Sequence, residues 1–147
     1  MFTYKPFVRT TLPDWRRNLE TNLTALFLIT QAALPLLSRS RSAHIVNLLS
    51  VSSRHAFENC AAYSAAKFGA LGFTRVLAKE LLPKHIRVTA ILAGATNTRL
   101  MDEFGFRVKR DEIMQTADVA QAVLGALLSP PRTTVEEIVI TPSRGSL

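Results

Sequence analysis

Three short runs rich in branched apolar residues, at 44–49, 86–92 and 136–141, are separated by stretches of helical periodicity. Apolar runs of that length, without strict alternation, read as strands covered on both faces. Strands joined by helices lie parallel, with right-handed crossovers. The predicted fold class is α/β: a small parallel sheet flanked by helices. Such a sheet normally continues sideways, so three strands predict part of a larger fold.

The helices follow from local signals. Pro13 fits a first turn, where its missing N–H is not needed, and Asp14 suits the positive helix end. Leu19, Leu23, Leu26, Phe27, Leu34 and Leu37 recur at helical spacing, which predicts a helix over 13–37. Pro35 removes a hydrogen bond and should loosen its last turns. Residues 38–42 and 50–59 read as loops. The Ala- and Leu-rich stretch 61–82 is the strongest helix, closed by Pro83 and His85. Irregular chain is expected over 93–111, with a short helix near 100–104. Thr116 is the expected cap of a helix over 117–128, stopped by Pro130 and Pro131. One partial domain over 1–147 is expected, with 1–12 an N-terminal loop and 143–147 a tail.

Composition narrows the function classes. The 147 residues are 48% apolar, enough for a core and too apolar for a disordered chain. A single cysteine, Cys60, excludes an internal disulfide framework and a cysteine-rich zinc site. His44, His55 and His85 form no ligand set by spacing, so no metal is expected. No apolar run approaches the roughly 18 residues that span a bilayer. Residues 1–13 lack the apolar core of a secretory signal. A reduced cytoplasmic setting without membrane contact is the expectation. The net charge of +7 raises the question of a nucleic-acid partner. Its basic residues are scattered as pairs and singles, such as Arg16–Arg17 and Lys109–Arg110, without interleaved aromatics. Solvated helix faces and loops explain them, and no nucleic acid is expected.

The chemistry concentrates in Tyr63-Ser64-Ala65-Ala66-Lys67, at the start of the long helix. Residues four apart share a helix face, so phenol and ammonium can enter one site. A phenol with a pKa near 10 is a poor acid or base at neutral pH. A nearby cation favours the phenolate and should lower that pKa. Such a tyrosine can exchange a proton with a carbonyl or alcohol oxygen. Ser50 lies thirteen positions earlier, at the end of the first strand, where α/β active sites gather. Its hydroxyl could hold a substrate oxygen; the alternative is a loop serine capping backbone groups, which is expected of Ser52 or Ser53, if not of all three.

With these residues in order, the chain resembles the short-chain dehydrogenase/reductase family. Trp15-Arg16-Arg17-Asn18-Leu19-Glu20-Thr21-Asn22 is similar to the family's helix carrying the active-site asparagine, here Asn22. The run from Ile45 to Ser50 is similar to the strand that ends in the catalytic serine. Ala62 to Lys67 is similar to the YxxxK helix start. Ile86 to Ile91, followed by Ala93-Gly94 and Thr98, is similar to the next strand and its PGxxxT loop. The resemblance runs from about Leu12 to Pro142. It implies a Rossmann-like sheet and hydride transfer between NAD or NADP and a small-molecule carbonyl or alcohol. It makes Tyr63 the general acid/base, Lys67 the residue that lowers its pKa and holds the nicotinamide ribose, and Ser50 the group that orients the substrate oxygen. Asn22 would hold the water linking Lys67 to solvent. Gly94, Thr96 and Thr98 would meet the nicotinamide end.

There are departures. Ala93 stands for the loop proline, Thr96 for a small aliphatic residue, Ser53 for a glycine and Leu49 for the first serine of a pair. The glycines at 69, 72, 94, 105, 125 and 145 nowhere form GxGxxG or the family's TGxxxGxG. Without that loop no helix N-terminus is offered to a pyrophosphate. The chain therefore resembles the second half of the fold: the last three strands and their helices, without the N-terminal phosphate-loop half. Two readings follow. One is a fragment of a longer oxidoreductase. The other is an inactive truncated homologue that serves as an interaction or dimerisation protein. In either case the family's packing implies a homo-oligomer through the helices 13–37 and 61–82. Ala61, Ala62, Ala65, Ala66, Ala70 and Gly72 give the second of these small surfaces for close packing. The stretch 99–110, with Met101, Phe104 and Phe106, falls where the family places a substrate lid.

Overall fold

A computed structural model of the chain describes residues 1–103 and 109–145. The expectations for Phe104, Gly105 and Phe106, and for the last two residues, lie outside the described residues. The element order is α1 (Leu12–Leu19), a π-helical turn (Glu20–Thr24), α2 (Ala25–Leu37), β1 (His44–Ser50), α3 (Ala61–Leu81), β2 (Arg87–Ala93), α4 (Thr116–Leu127) and β3 (Glu137–Ile140). The sheet has the order β1-β2-β3 and is parallel throughout, with His44 opposite Arg87 and Ala90 opposite Glu137. All three expected strands and all three main helical stretches form within a residue or two of their expected ends.

The start of the chain is more structured than a plain loop. A short 3-10 turn spans Phe7–Arg9, and Phe2 and Thr3 are buried. Thr11 caps α1: its side chain accepts from the Asp14 N–H, and the Asp14 carboxylate accepts from the Thr11 N–H. Lys5, Thr11 and Arg17 hold that carboxylate well below the usual range, although burial opposes them. The helix runs on through Pro35 to Leu37. The irregular turn lies upstream, at Glu20–Thr24. Thr116 is not the cap of α4. Gln115 takes that place: its N–H donates to the Asp118 carboxylate at 2.7 Å, and its carbonyl accepts from the Asp118 N–H at 3.0 Å. Thr116 already has helical geometry, and the residue before it is the extended one.

Side-chain alternation divides the core. Leu49, Ala90 and Leu92 pack against Ala70 and Leu71 of α3, while Ile45 and Val88 meet Leu77 and Leu81 lower on the same helix. Leu48 points to the opposite face, toward Val123 and Leu124 of α4. Leu48 is 55% exposed, because β1 is an edge strand. One buried polar bridge crosses the α3 interface. Asn47 Nδ2 donates to Thr74 Oγ1 at 2.9 Å, and the Thr74 hydroxyl donates to the Ala70 carbonyl at 2.7 Å. Asn47→Ala removes the donor to a buried hydroxyl and leaves space beside it. A loss of about 1–3 kcal/mol is expected, read as a lower urea midpoint.

A second polar group carries a pH dependence. His44 Nε2 lies 2.8 Å from Thr89 Oγ1, and the Thr89 hydroxyl spends its own proton on the Val135 carbonyl. Nε2 therefore carries the imidazole proton, and Nδ1 is buried without a partner among the described residues. Burial, then the neighbouring Arg87 charge, push the imidazole below its ordinary value. The unfolded chain thus binds this proton more readily than the folded one. Stability from this group is present above the unfolded pKa, near 6.5, and falls as pH drops through it. The urea midpoint should be lower at pH 5.5 than at pH 7.5, and His44→Gln should reduce that difference. Equal pH dependence in the variant would remove His44 as its source.

Candidate active site

The carboxyl ends of β1 and β2 open into a cleft of about 1000 Å3. Its wall includes Ser50, Tyr63, Lys67, Gly94, Thr96 and Thr98. The local reasons are simple. Ser50 ends β1, where its Oγ accepts from the Ser52 N–H at 3.1 Å and starts a 3-10 turn at Val51–Ser53. That turn bends the chain away from the sheet and leaves the serine at the strand's mouth. Tyr63 and Lys67 occupy the first turns of α3, one helical step apart. The capping role and the site position of Ser50 are compatible, because a hydroxyl has two lone pairs and one proton.

Tyr63 is 7% exposed, and it shares the cleft wall with Ser50, whose hydroxyl is near enough to act on its phenol. The Lys67 ammonium lies 5.6 Å from the centre of the Tyr63 ring. Among the described residues no carboxylate forms a salt bridge with it. The electrostatics differ from the sequence expectation. Burial raises the Tyr63 phenol above its ordinary value; the nearby Ser50 hydroxyl pulls it down, and Cys60 adds a smaller upward push. Burial also lowers the Lys67 ammonium. Proximity of a cation was expected to win, but removing both groups from water disfavours both charged forms.

Gly94 follows β2. Its N–H donates to the Ile140 carbonyl at 2.8 Å, and a Cβ there would sit 3.3 Å from Thr141 and Pro142. Glycine therefore lets the chain beyond β3 lie against this turn. Thr96 Oγ1 donates to the Gly94 carbonyl at 3.0 Å. The Thr98 carbonyl accepts from Arg110 at 2.8 Å, and Arg110 also pairs with Asp102. Asn22 differs from the rest. It sits in the π-helical turn and is absent from the cleft wall; its Nδ2 donates to the Met1 carbonyl at 2.9 Å and the Asn18 carbonyl at 3.1 Å. Its amide fastens the start of the chain.

The structure adds aromatic neighbours that the sequence reading passed over. Phe2 is 3% exposed and meets the Tyr63 ring edge-on, with centroids 4.9 Å apart and planes at 82°. Tyr4, Phe57 and Leu100 pack on the same cluster. Phe2 and Tyr4 are two residues apart, a spacing that could have hinted at a shared face in an extended segment.

With the geometry in place, comparison with known proteins is decisive. The model of the short chain dehydrogenase family matches residues 2–107. The chain belongs to the short-chain dehydrogenase family. Sepiapterin reductase of Chlorobaculum tepidum is 31% identical over 134 residues, which are 91% of this chain and 54% of that protein. The 3-oxoacyl-[acyl-carrier-protein] reductase of a Synechocystis strain is 37% identical over 95 residues, 65% of this chain and 38% of the relative. Serine dehydrogenase from Escherichia coli has the same fold, with a TM-score of 0.84 at 22% identity, over 99% of this chain and 61% of that one. An alcohol dehydrogenase from Thermococcus sibiricus, complexed with 5-hydroxy-NADP, gives 0.87 at 19% identity, over 100% and 61%. The three-stranded sheet is thus part of a Rossmann-type short-chain dehydrogenase fold, and the chain spans about half the length of the curated relatives it matches.

Proposed function

We propose that this chain is the catalytic half of an NAD- or NADP-dependent oxidoreductase that interconverts a carbonyl and an alcohol, as a fragment of a longer enzyme. The observation that carries the reading is the convergence of Ser50, Tyr63 and Lys67 on one cleft at the strand ends. The residues present fit the nicotinamide end of the cofactor. Lys67 offers N–H donors without an acidic partner, and the hydroxyls of Thr96 and Thr98 lie on the same wall. When bound, the cofactor supplies or accepts the hydride. Ser50 holds the substrate oxygen beside the Tyr63 phenol. Tyr63 gives that oxygen a proton during carbonyl reduction, and takes it back in the reverse direction. Lys67 holds ribose hydroxyls and stabilises the phenolate left after proton donation. Asn22 acts further out, through the turn it fastens. The Tyr63 phenol, raised by burial, favours the acid role and therefore reduction near neutral pH. A carbonyl panel assayed with NADH and NADPH tests the reading, using a polypeptide that extends this chain with a phosphate-loop half. No turnover of any member would overturn it.

A second reading has its own support. Leu28, Ile29 and Leu36 on α2 and Val76 and Leu82 at or beyond α3 are exposed, and β1 has a free edge. Open edges and apolar faces favour association. An inactive homologue that pairs through the helices 13–37 and 61–82 would use these surfaces, and a working enzyme would use them for homo-oligomer formation. Light scattering reads the mass: a stable monomer at micromolar concentration would remove the oligomer. No helix among the described residues is long and apolar enough to cross a membrane. A cytoplasmic setting belongs to the same proposal, and the single buried Cys60 thiol suits a reducing compartment.

A further inference from the structure

The segment 1–5 is tied down along the cleft wall beside Tyr63. The Lys5 N–H donates to the Asn59 carbonyl at 2.7 Å, and Asn59 Nδ2 reaches the Tyr4 hydroxyl at 3.3 Å. From α1, Asn18 Nδ2 donates to Thr3 Oγ1 at 2.8 Å; Asn22 holds the Met1 carbonyl. Asn59 has φ of 61°, a left-handed conformation that asparagine tolerates better than most residues. It ends the loop before α3 and turns its carbonyl and amide toward the strap. These ties seat Phe2 edge-on against Tyr63 and lay the Tyr4 ring nearly parallel to Phe2, at 22° and 6.4 Å.

Phe2, Cys60 and Tyr63 form a buried cluster, and Tyr4, Phe57 and Leu100 pack on it while remaining partly open to the cleft. The wall around the reacting phenol is thus aromatic and aliphatic. Among the described residues, its charged members are Lys67 and Glu58. Lys67 is committed to Tyr63 in the reading above, and Glu58 repels an anion. No described arginine lines the cleft to pair with a substrate carboxylate.

We infer that this strap-built wall selects uncharged carbonyl compounds bearing an aryl or similarly bulky apolar group, with Tyr4 and Phe57 as the specificity-determining contacts. The inference rests on the proposed reductase reading for the identity of the reacting group. An aryl ring placed against these side chains gains apolar burial and offset or edge-on ring contacts. A short aliphatic ketone leaves the same surface wet, and a carboxylate meets Glu58 and must compete for Lys67, with no described arginine to pair with.

Binding to the 147-residue chain tests it without hydride transfer. Three probes are followed by ligand-observed fluorine NMR: 4-fluoroacetophenone, 4-fluorophenylglyoxylate, which carries a carboxylate in place of the ketone's methyl group, and fluoroacetone, which lacks the ring. The aryl ketone is expected to bind about 10-fold more tightly than either comparator. Tyr4→Ala and Phe57→Ala should each weaken it about 3–10-fold. Tyr4→Leu and Phe57→Leu keep apolar bulk and remove the ring face, so a folded variant is available at each position, verified by methyl dispersion in the proton spectrum. Equal affinity for the three probes, tighter binding of the carboxylate, no binding of the aryl ketone, or folded wall variants without effect would each overturn the inference. Failure of the reductase reading is separate: it would show as aryl ketone bound in this order, with no reduction by the extended polypeptide.

Discussion

Tyr63→Phe is expected to cut carbonyl reduction by about 10²–10⁴-fold, the range lost with a positioned general acid. The substitution removes one oxygen and leaves the ring that packs on Phe2, so the fold should persist. Among the described residues the other proton donors beside it are Ser50 and Cys60. An aliphatic hydroxyl is a far weaker acid, and burial pushes the Cys60 thiol up. The phenol is raised above its ordinary value near 10, so it stays protonated across neutral pH. Reduction should therefore be nearly flat with pH through neutrality. Alcohol oxidation, which needs the phenolate, should rise as pH climbs. Initial rates of the extended polypeptide in both directions, between pH 6 and 10, report this. Retention of wild-type turnover by the phenylalanine variant would end the catalytic role assigned to Tyr63.

The 147-residue chain by itself is expected to bind NADH and NADPH at least about 100-fold more weakly than a polypeptide that also carries a phosphate-loop half. In the proposed reading, Lys67, Thr96 and Thr98 meet only the nicotinamide end. None of the chain's glycines forms a GxGxxG loop, the element that would present a helix N-terminus to the pyrophosphate. The open edge of β1, with Leu48 beside it, is the surface on which a further strand would continue the sheet. Calorimetric titration of both forms measures the difference. Micromolar affinity in the shorter chain would mean that the nicotinamide contacts suffice, and the fragment reading would fall.

Much of this fold is legible in the sequence because its signals are local. Branched apolar runs at 44–49, 86–92 and 136–141 become β1, β2 and β3, since such residues need cover on both faces and only a central parallel sheet provides it. The four-residue spacing of Tyr63 and Lys67 sets them on one helix face before any tertiary contact is known. Ser50 at a strand end follows from the same local pattern. What the sequence alone determined, then, is the order of elements and which reactive groups lie near the strand mouths.

Only the tertiary structure decided how those groups behave. Tyr63 and Lys67 are both drawn away from their charged forms, because packing around α3 takes them out of water, and burial depends on residues distant in sequence such as Phe2. Asn22 turns its amide to Met1, twenty-one positions away, where a helical repeat carries no information. Gln115 rather than Thr116 caps α4, because the extended backbone of one residue, not its type, sets the cap. Phe2 and Tyr4 join the aromatic wall where Asn18, Asn22 and Asn59 hold the start of the chain. Periodicity reports short-range geometry, whereas desolvation and long-range hydrogen bonds arise when separate elements meet.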